Sequence, residues 1–238
     1  MTAPTPMQGF ARGLRFSLPF ALVVIPFGLV FGVIATETGL DPLQTGVFSL
    51  LVGAGAAQLA ALQMIAEGAP VSVIVLTATA VNLRLAMYSA SLAPHLGAAP
   101  AGTRLLAAFF LVDQAYAASI LQFERSPDWP VRAKLAYYFG TIVPVAPTWV
   151  VASAAGALIG HRLPADWPLD FFVPMAFLAL VGPMLRTPAH GVAAAVSVGA
   201  ALVLAGLPWS LGLLAAGLIA MTAGALTEAA MAPPRTHR

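Results

Sequence analysis

The 238-residue chain is 60% hydrophobic and only 8% charged, with 11 Lys+Arg against 9 Asp+Glu and a mean hydropathy of +0.89. That composition leaves too little polar surface to coat a water-soluble globule, so most of the chain must have lipid as its solvent. No basic run is long enough for a phosphate-binding patch, and zero cysteines exclude disulfides, thiolate metal sites and thiol nucleophiles.

A helix needs about 20 residues to cross a ~30 Å hydrocarbon core. Eight apolar stretches meet that length in chain order: 16–36, 46–66, 71–93, 104–122, 136–160, 169–185, 190–207 and 209–228. The expected architecture is an all-α polytopic membrane protein, one transmembrane domain over residues 1–238. It has about eight spans, or seven if the last two merge across Leu207-Pro208-Trp209.

The first stretch follows Arg12 and Arg15 without a small-residue cleavage site, and reads as a retained span. It contains Pro19 and Pro26, each of which deletes a backbone donor and bends a helix. The second carries Gly53-Ala54-Gly55-Ala56-Ala57-Gln58. Two readings stay open there: a glycine-loosened helix that exposes backbone groups to a ligand, or close packing by Ser49, Gly53, Ala57 and Ala61, which recur every fourth residue.

The third stretch places Thr77, Arg84, Tyr88 and Ser91 on one helical face, with Asn82 some 200° round from Arg84. A helix polar on two sides is expected to be wholly enclosed by protein or to unwind. The fourth holds Asp113, with Tyr116 three residues on. Arg84 and Asp113 fall at similar depth on consecutive stretches, so they are expected to pair; an ion pair at that depth costs several kcal/mol unless compensated, which makes it a functional candidate, with a register-fixing brace as the alternative.

The fifth stretch contains Pro144 and Pro147 and the sixth Pro174 and Pro183; three proline-interrupted helices favour a moving machine over a static anchor. Pro26-Phe27-Gly28 and Pro147-Thr148-Trp149 begin similar passages, a faint internal echo of the kind left by duplicated transporter halves. Trp129, Tyr137 and Tyr138 fit an interfacial belt on one side, Trp167 and Trp209 on the other.

Cations set the expected orientation. An N-terminus in the cytoplasm puts Arg12, Arg15, Arg125, Arg132, Lys134, Arg186, Arg235 and Arg238 inside, and only Arg104 and Arg162 outside. His95 falls in an outer loop on this scheme. His95, His161, His190 and His237 show no metal-ligand spacing, and no serine, histidine and second acid share a central helix face. No metal, cofactor or enzymatic activity is expected.

Four segments in order, Pro26-Phe27-Gly28 with Phe31-Gly32, then Gly53 to Gln58, then Val81-Asn82-Leu83-Arg84 with Tyr88-Ser89, then Asp113-Gln114-Ala115-Tyr116-Ala117, resemble the AzlC family, the large subunit of bacterial branched-chain amino acid exporters. The resemblance covers the first ~120 residues. It implies proton-driven export of branched-chain or similar hydrophobic amino acids across the cytoplasmic membrane, with a small four-span subunit of the AzlD type as partner. Where the family often has His after the motif arginine and an acid after the motif aspartate, this chain has Leu85 and Gln114.

The site expected from residues and resemblance together has the loosened backbone of Gly53, Gly55 and Gln58 with Asn82 holding the amino acid head group. Arg84 either meets its carboxylate or is held by Asp113, Tyr88 belongs to the same polar stripe, and Asp113, supported by Tyr116, carries the proton. A channel or scaffold subunit with a merely structural polar core, and less so an intramembrane enzyme, are the alternatives.

Overall fold

The computed structural model describes residues 4–160, 162, 185, 187–207 and 211–231. The stretch 169–185 apart from its last residue, together with Trp167, Pro174, Pro183, Trp209 and His161, lies outside these residues. All regular structure within them is helical: α1 Pro6–Glu37, α2 Pro42–Leu51, α3 Gly55–Ala66, α4 Val71–Leu96, α5 Ala101–Phe109, α6 Asp113–Arg125, α7 Val131–Ile142, α8 Ala146–Gly160, α9 Pro188–Val203 and α10 Leu211–Met231.

Local chemistry explains the helix starts. Thr5 with Gln8, and Asp41 with Gln44, form reciprocal capping boxes ahead of Pro6 and Pro42, whose missing N–H groups cost nothing at the first helical position. Thr187 caps α9 before Pro188 by a single bond, its hydroxyl oxygen accepting from the His190 N–H. Despite Pro19 and Pro26, α1 runs unbroken for 32 residues. The expected interruption of the first span is therefore absent; neighbouring helices can support backbone groups freed by proline.

The chain falls into two compact units, residues 1–66 with 74–167, and residues 67–73 with 168–238. In the second, α9 and α10 pack together, with the Gly224 backbone close against Ala193. The first holds the residues of interest.

Its spine is α1 lying parallel to α7 and α8. Gly9 abuts Ala133, Gly13 abuts Tyr137, Gly28 abuts Ala152, Gly32 abuts Ser153, and Gly160 abuts Thr36. The steady offset along both helices is the signature of two segments running side by side in the same direction. Small residues let the backbones touch, which is how membrane helices associate where lipid removes the hydrophobic drive between them. The two echoed passages meet here: Phe27 and Trp149 have ring centroids 6.1 Å apart.

The second apolar stretch does not cross. The helix stops at Leu51 and restarts at Gly55. Gln58 then hydrogen-bonds back to the Phe48 carbonyl at 3.1 Å, and Leu62 packs with Phe31 and Ala35, close to where α2 began. A continuous span would carry Gln58 ~15 Å beyond Phe48. So α2 and α3 make a helical hairpin with its tip at Val52–Ala54. Trp149, Phe31 and Phe48 pack within it.

The fourth stretch does the same from the other end. Four contacts in ascending order, Arg84–Asp113, Tyr88–Tyr116, Ser91–Tyr116 and His95–Phe123, show α6 running parallel to α4. The short α5 must therefore run back against both, and the tip of this second hairpin is Phe110–Val112. Its base holds Arg104, His95 and the α6–α7 connection, where Arg12 covers the Trp129 ring at 5.4 Å. Arg104 consequently stands at the same end as Arg12, Arg125 and Lys134, which corrects its expected outer position. His95 lies in the last turn of α4 at that end, in place of the expected outer loop.

Four helices among the described residues are long and apolar enough to cross a membrane: α1, α4, the α7–α8 pair and α10. Hydropathy alone marks eight stretches because a half-helix that turns back is as apolar as one that continues. The order helix then hairpin occurs twice, α1 with α2–α3 and α4 with α5–α6, in opposite senses, the inverted repetition common in transporters.

Tyr137 and Tyr138 are not belt residues. Both are buried, their hydroxyls donating to the carbonyls of Ala118 (3.5 Å) and Ala107 (2.7 Å), so they tie α7 to both legs of the second hairpin.

Candidate functional site: an ion pair at a hairpin tip

Arg84 sits near the middle of α4, ~20 Å from its first residue and ~18 Å from its last. Its Nη2 lies 3.0 Å from Oδ2 of Asp113, the expected pairing. Among the described residues this is the one salt bridge between a guanidinium and a carboxylate. Asp113 is the first residue of α6, preceded by Val112 with extended backbone (φ −134°). Its carboxylate therefore also faces the positive end of its own helix. The side chains retain 33% and 49% of their accessible surface, so the pair is reachable and not sealed in a core.

An aromatic platform flanks it. Tyr88 and Tyr116 stack with centroids 4.1 Å apart and planes 7° from parallel. The Tyr116 hydroxyl and Ser91 Oγ are 3.1 Å apart, so Tyr116 is engaged by α4 and supports Asp113 through the stack. Tyr88 interacts with both Asp113 and Arg84. The stripe expected on α4 is real: Thr77 meets Met64 of α3, and Arg84, Tyr88 and Ser91 meet α6.

The opposite prediction for α4 fails in both its forms. The helix neither unwinds nor is enclosed: it is continuous from Val71 to Leu96, and Leu83 and Met87 are exposed. Asn82 Oδ1 and Arg84 Nε are buried and without a hydrogen-bond partner. Loosened backbone is found instead in α5–α6, immediately before Asp113.

At the first hairpin, the loosened-helix reading holds at Val52–Ala54. Gly53 is not a packing glycine, since a Cβ there would meet nothing within 4 Å. At Gly55 a Cβ would reach the Trp149 ring at 3.0 Å. Gln58 is fully buried; its Nε2 donates to the Phe48 carbonyl and its Oε1 accepts from Trp149 Nε1, both at 3.1 Å. Trp149, which sequence reasoning passed over, thus anchors the tip; its only signal was a place in the echoed passage.

Depth links the two tips. From the Met64–Thr77 contact, Gln58 lies six residues along α3 and Arg84 seven along α4, ~9 and ~10 Å. The third break, Val143–Val145 between α7 and α8, lies between them: Ala146 packs with Phe110 and Val112 in one apolar cluster, and Trp149 packs with Phe48 in the other. Three helix starts, Gly55, Asp113 and Ala146, therefore gather at mid-depth. Each presents backbone N–H groups that lack intrahelical acceptors. No group of three or more His, Asp or Glu residues able to hold a metal occurs among the described residues.

Comparison with known proteins points one way. The family profile described as "AzlC protein" matches residues 19–163. An "Inner membrane protein YgaZ" of Escherichia coli (strain K12) is 28% identical over 76% of this chain and 77% of its own length. An "Uncharacterized membrane protein" of Archaeoglobus fulgidus is 30% identical over 80% and 82%. No solved structure matches the chain.

Proposed function

The chain belongs to the AzlC family of membrane proteins, and from that premise we propose that it exports branched-chain or related hydrophobic amino acids across the bacterial cytoplasmic membrane by proton antiport. The observation that carries this reading is the partly exposed Arg84–Asp113 pair beside a hairpin tip. A brace that only fixes register gains nothing from access; a cargo site requires it.

The cargo is a zwitterion with an apolar tail. Its carboxylate competes with Asp113 for Arg84 and is further favoured by the N–H groups at the nearby helix starts. Asp113, freed from Arg84, stays an anion while the ammonium group of the cargo serves as its counter-charge, and a proton on Asp113 removes that anion. Proton and cargo are then alternatives at Asp113, so that binding of one expels the other, which is the logic of an exchanger. Tyr88 and Tyr116 supply an apolar wall for the tail, and Gly53, Gly55 and Asn82 line the opposed approach, with Gln58 holding the tip in place.

The cations support a cytoplasmic N-terminus, since Arg12, Arg15, Arg104, Arg125, Arg132 and Lys134 share one end while Glu37 and Asp41 stand at the other. A small AzlD-type membrane subunit is part of the proposal, as is the absence of enzymatic chemistry. The test is leucine efflux from proteoliposomes under an imposed pH gradient, with the chain alone and with the small subunit co-reconstituted. Saturable, gradient-driven efflux supports the reading; unsaturable leak supports a channel or scaffold.

A further inference from the structure

A cavity of about 430 Å³ opens between α4 and the α5 leg of the second hairpin, within the ~300–1,000 Å³ typical of small-molecule sites. Its walls are apolar, Leu92 and Ala93 on one side and Leu111 on the other, apart from Ser89, Tyr138 and Arg104. The Tyr138 hydroxyl is already committed to the Ala107 carbonyl. Among the described residues Arg104 is therefore the one charge lining the cavity, with neither an ion-pair partner nor an acid beside it in the lining.

Position gives the cavity a direction. Arg104 is in the first turn of α5, at the hairpin base, beside the end of the unit that carries the N-terminus. Leu111 and Ser89 lie at the deep end; Leu111 is two residues before Asp113, and Ser89 follows Tyr88. The cavity thus runs from a cation at the rim, along a greasy wall ~10 Å deep as measured from Arg104 to Leu111 along the chain, to the level of the hairpin tip, where Leu111 precedes Asp113 by two residues.

We propose that this cavity is a binding vestibule for the cargo on the N-terminal side, where Arg104 captures the carboxylate of an apolar amino acid and the Leu92–Leu111 wall accepts its tail. The inference rests on the transport reading above and adds a second, peripheral site on one side of the membrane. A carboxylate with an apolar tail matches one exposed cation over an otherwise apolar slot; a polar or cationic amino acid does not.

Because the chain has no cysteine, Ser89→Cys supplies a lone reporter deep in the cavity, with Ala93→Cys as a second position should the first not fold. Labelling by a small hydrophilic maleimide from the N-terminal side is expected, and leucine in the medium is expected to slow it. Arg104→Gln is expected to raise the half-saturating leucine concentration about fivefold on the N-terminal side only, with Arg104→Lys restoring most of it.

If wild-type protein transports leucine but the reporter is not protected and Arg104→Gln changes neither side, the vestibule is overturned while the transport reading stands. If wild-type protein transports nothing, that reading fails, and the vestibule stands or falls on leucine protection of Ser89→Cys alone. Protection that follows the phosphatidylglycerol content of the vesicles, and not leucine, assigns the cavity to lipid and overturns the proposal.

Discussion

The indole N–H of Trp149 donates to the carboxamide oxygen of Gln58 at 3.1 Å, across 91 residues of chain. That bond joins the tip of the first hairpin to α8 just beyond its break at Val143–Val145, and the other end of the same amide closes on Phe48 of the first leg. One side chain thus ties three helical segments at the depth where the chain is least regular.

Removing either partner should loosen the tip. Gln58→Leu and Trp149→Phe each strand one polar group of the pair, and their combination strands neither. A double-mutant cycle on melting temperature in detergent should return a coupling on the order of 1 kcal/mol; strict additivity would show that the bond holds nothing.

The α1 contact with α7 and α8 depends on absent side chains. A Cβ at Gly32 would collide with the Ser153 carbonyl oxygen, whereas one at Gly53 would meet nothing within 4 Å. Gly32→Ala should therefore destabilise by about 1–3 kcal/mol and Gly53→Ala by almost nothing. Equal melting temperatures for the two variants would contradict the parallel packing.

Topology is testable because single cysteines can be placed on a cysteine-free chain. Gly102→Cys and Ser126→Cys flank the second hairpin and should both be labelled by a membrane-impermeant reagent from one side. Leu43→Cys and Glu67→Cys flank the first and should both be labelled from the other. Eight simple crossings would instead put the members of each pair on opposite sides.

Much of the site could be read from residue type and depth. Two opposite charges in apolar stretches have few options, and Arg84 and Asp113 took the expected one. What hydropathy could not report is direction: α2–α3 and α5–α6 are as apolar as true spans, and the reversals rest on a few backbone angles at Val52–Ala54 and Phe110–Val112. Gly53 and Gly55 hinted at the first. Nothing in Leu111-Val112-Asp113 announces the second except an acid placed to start a helix. Tyr138 was misread because a buried tyrosine and an interfacial one look alike until the Ala107 carbonyl is in view.

A role in transport can be separated from a role in stability at the ion pair. Arg84→Gln and Asp113→Asn alone each leave an uncompensated charge or acceptor at mid-depth and should lower the melting temperature; the double variant should recover much of that loss, as paired removals do. Transport should remain lost in all three. A double variant that is both stable and active would reduce the pair to a brace.

The most direct measurement is pH-gradient-driven leucine efflux from proteoliposomes carrying Asp113→Asn. The account predicts that coupling disappears, with residual leucine movement indifferent to the gradient, because the asparagine can neither pair with Arg84 as an anion nor take up a proton. Efflux of wild-type rate that still follows the gradient would contradict it.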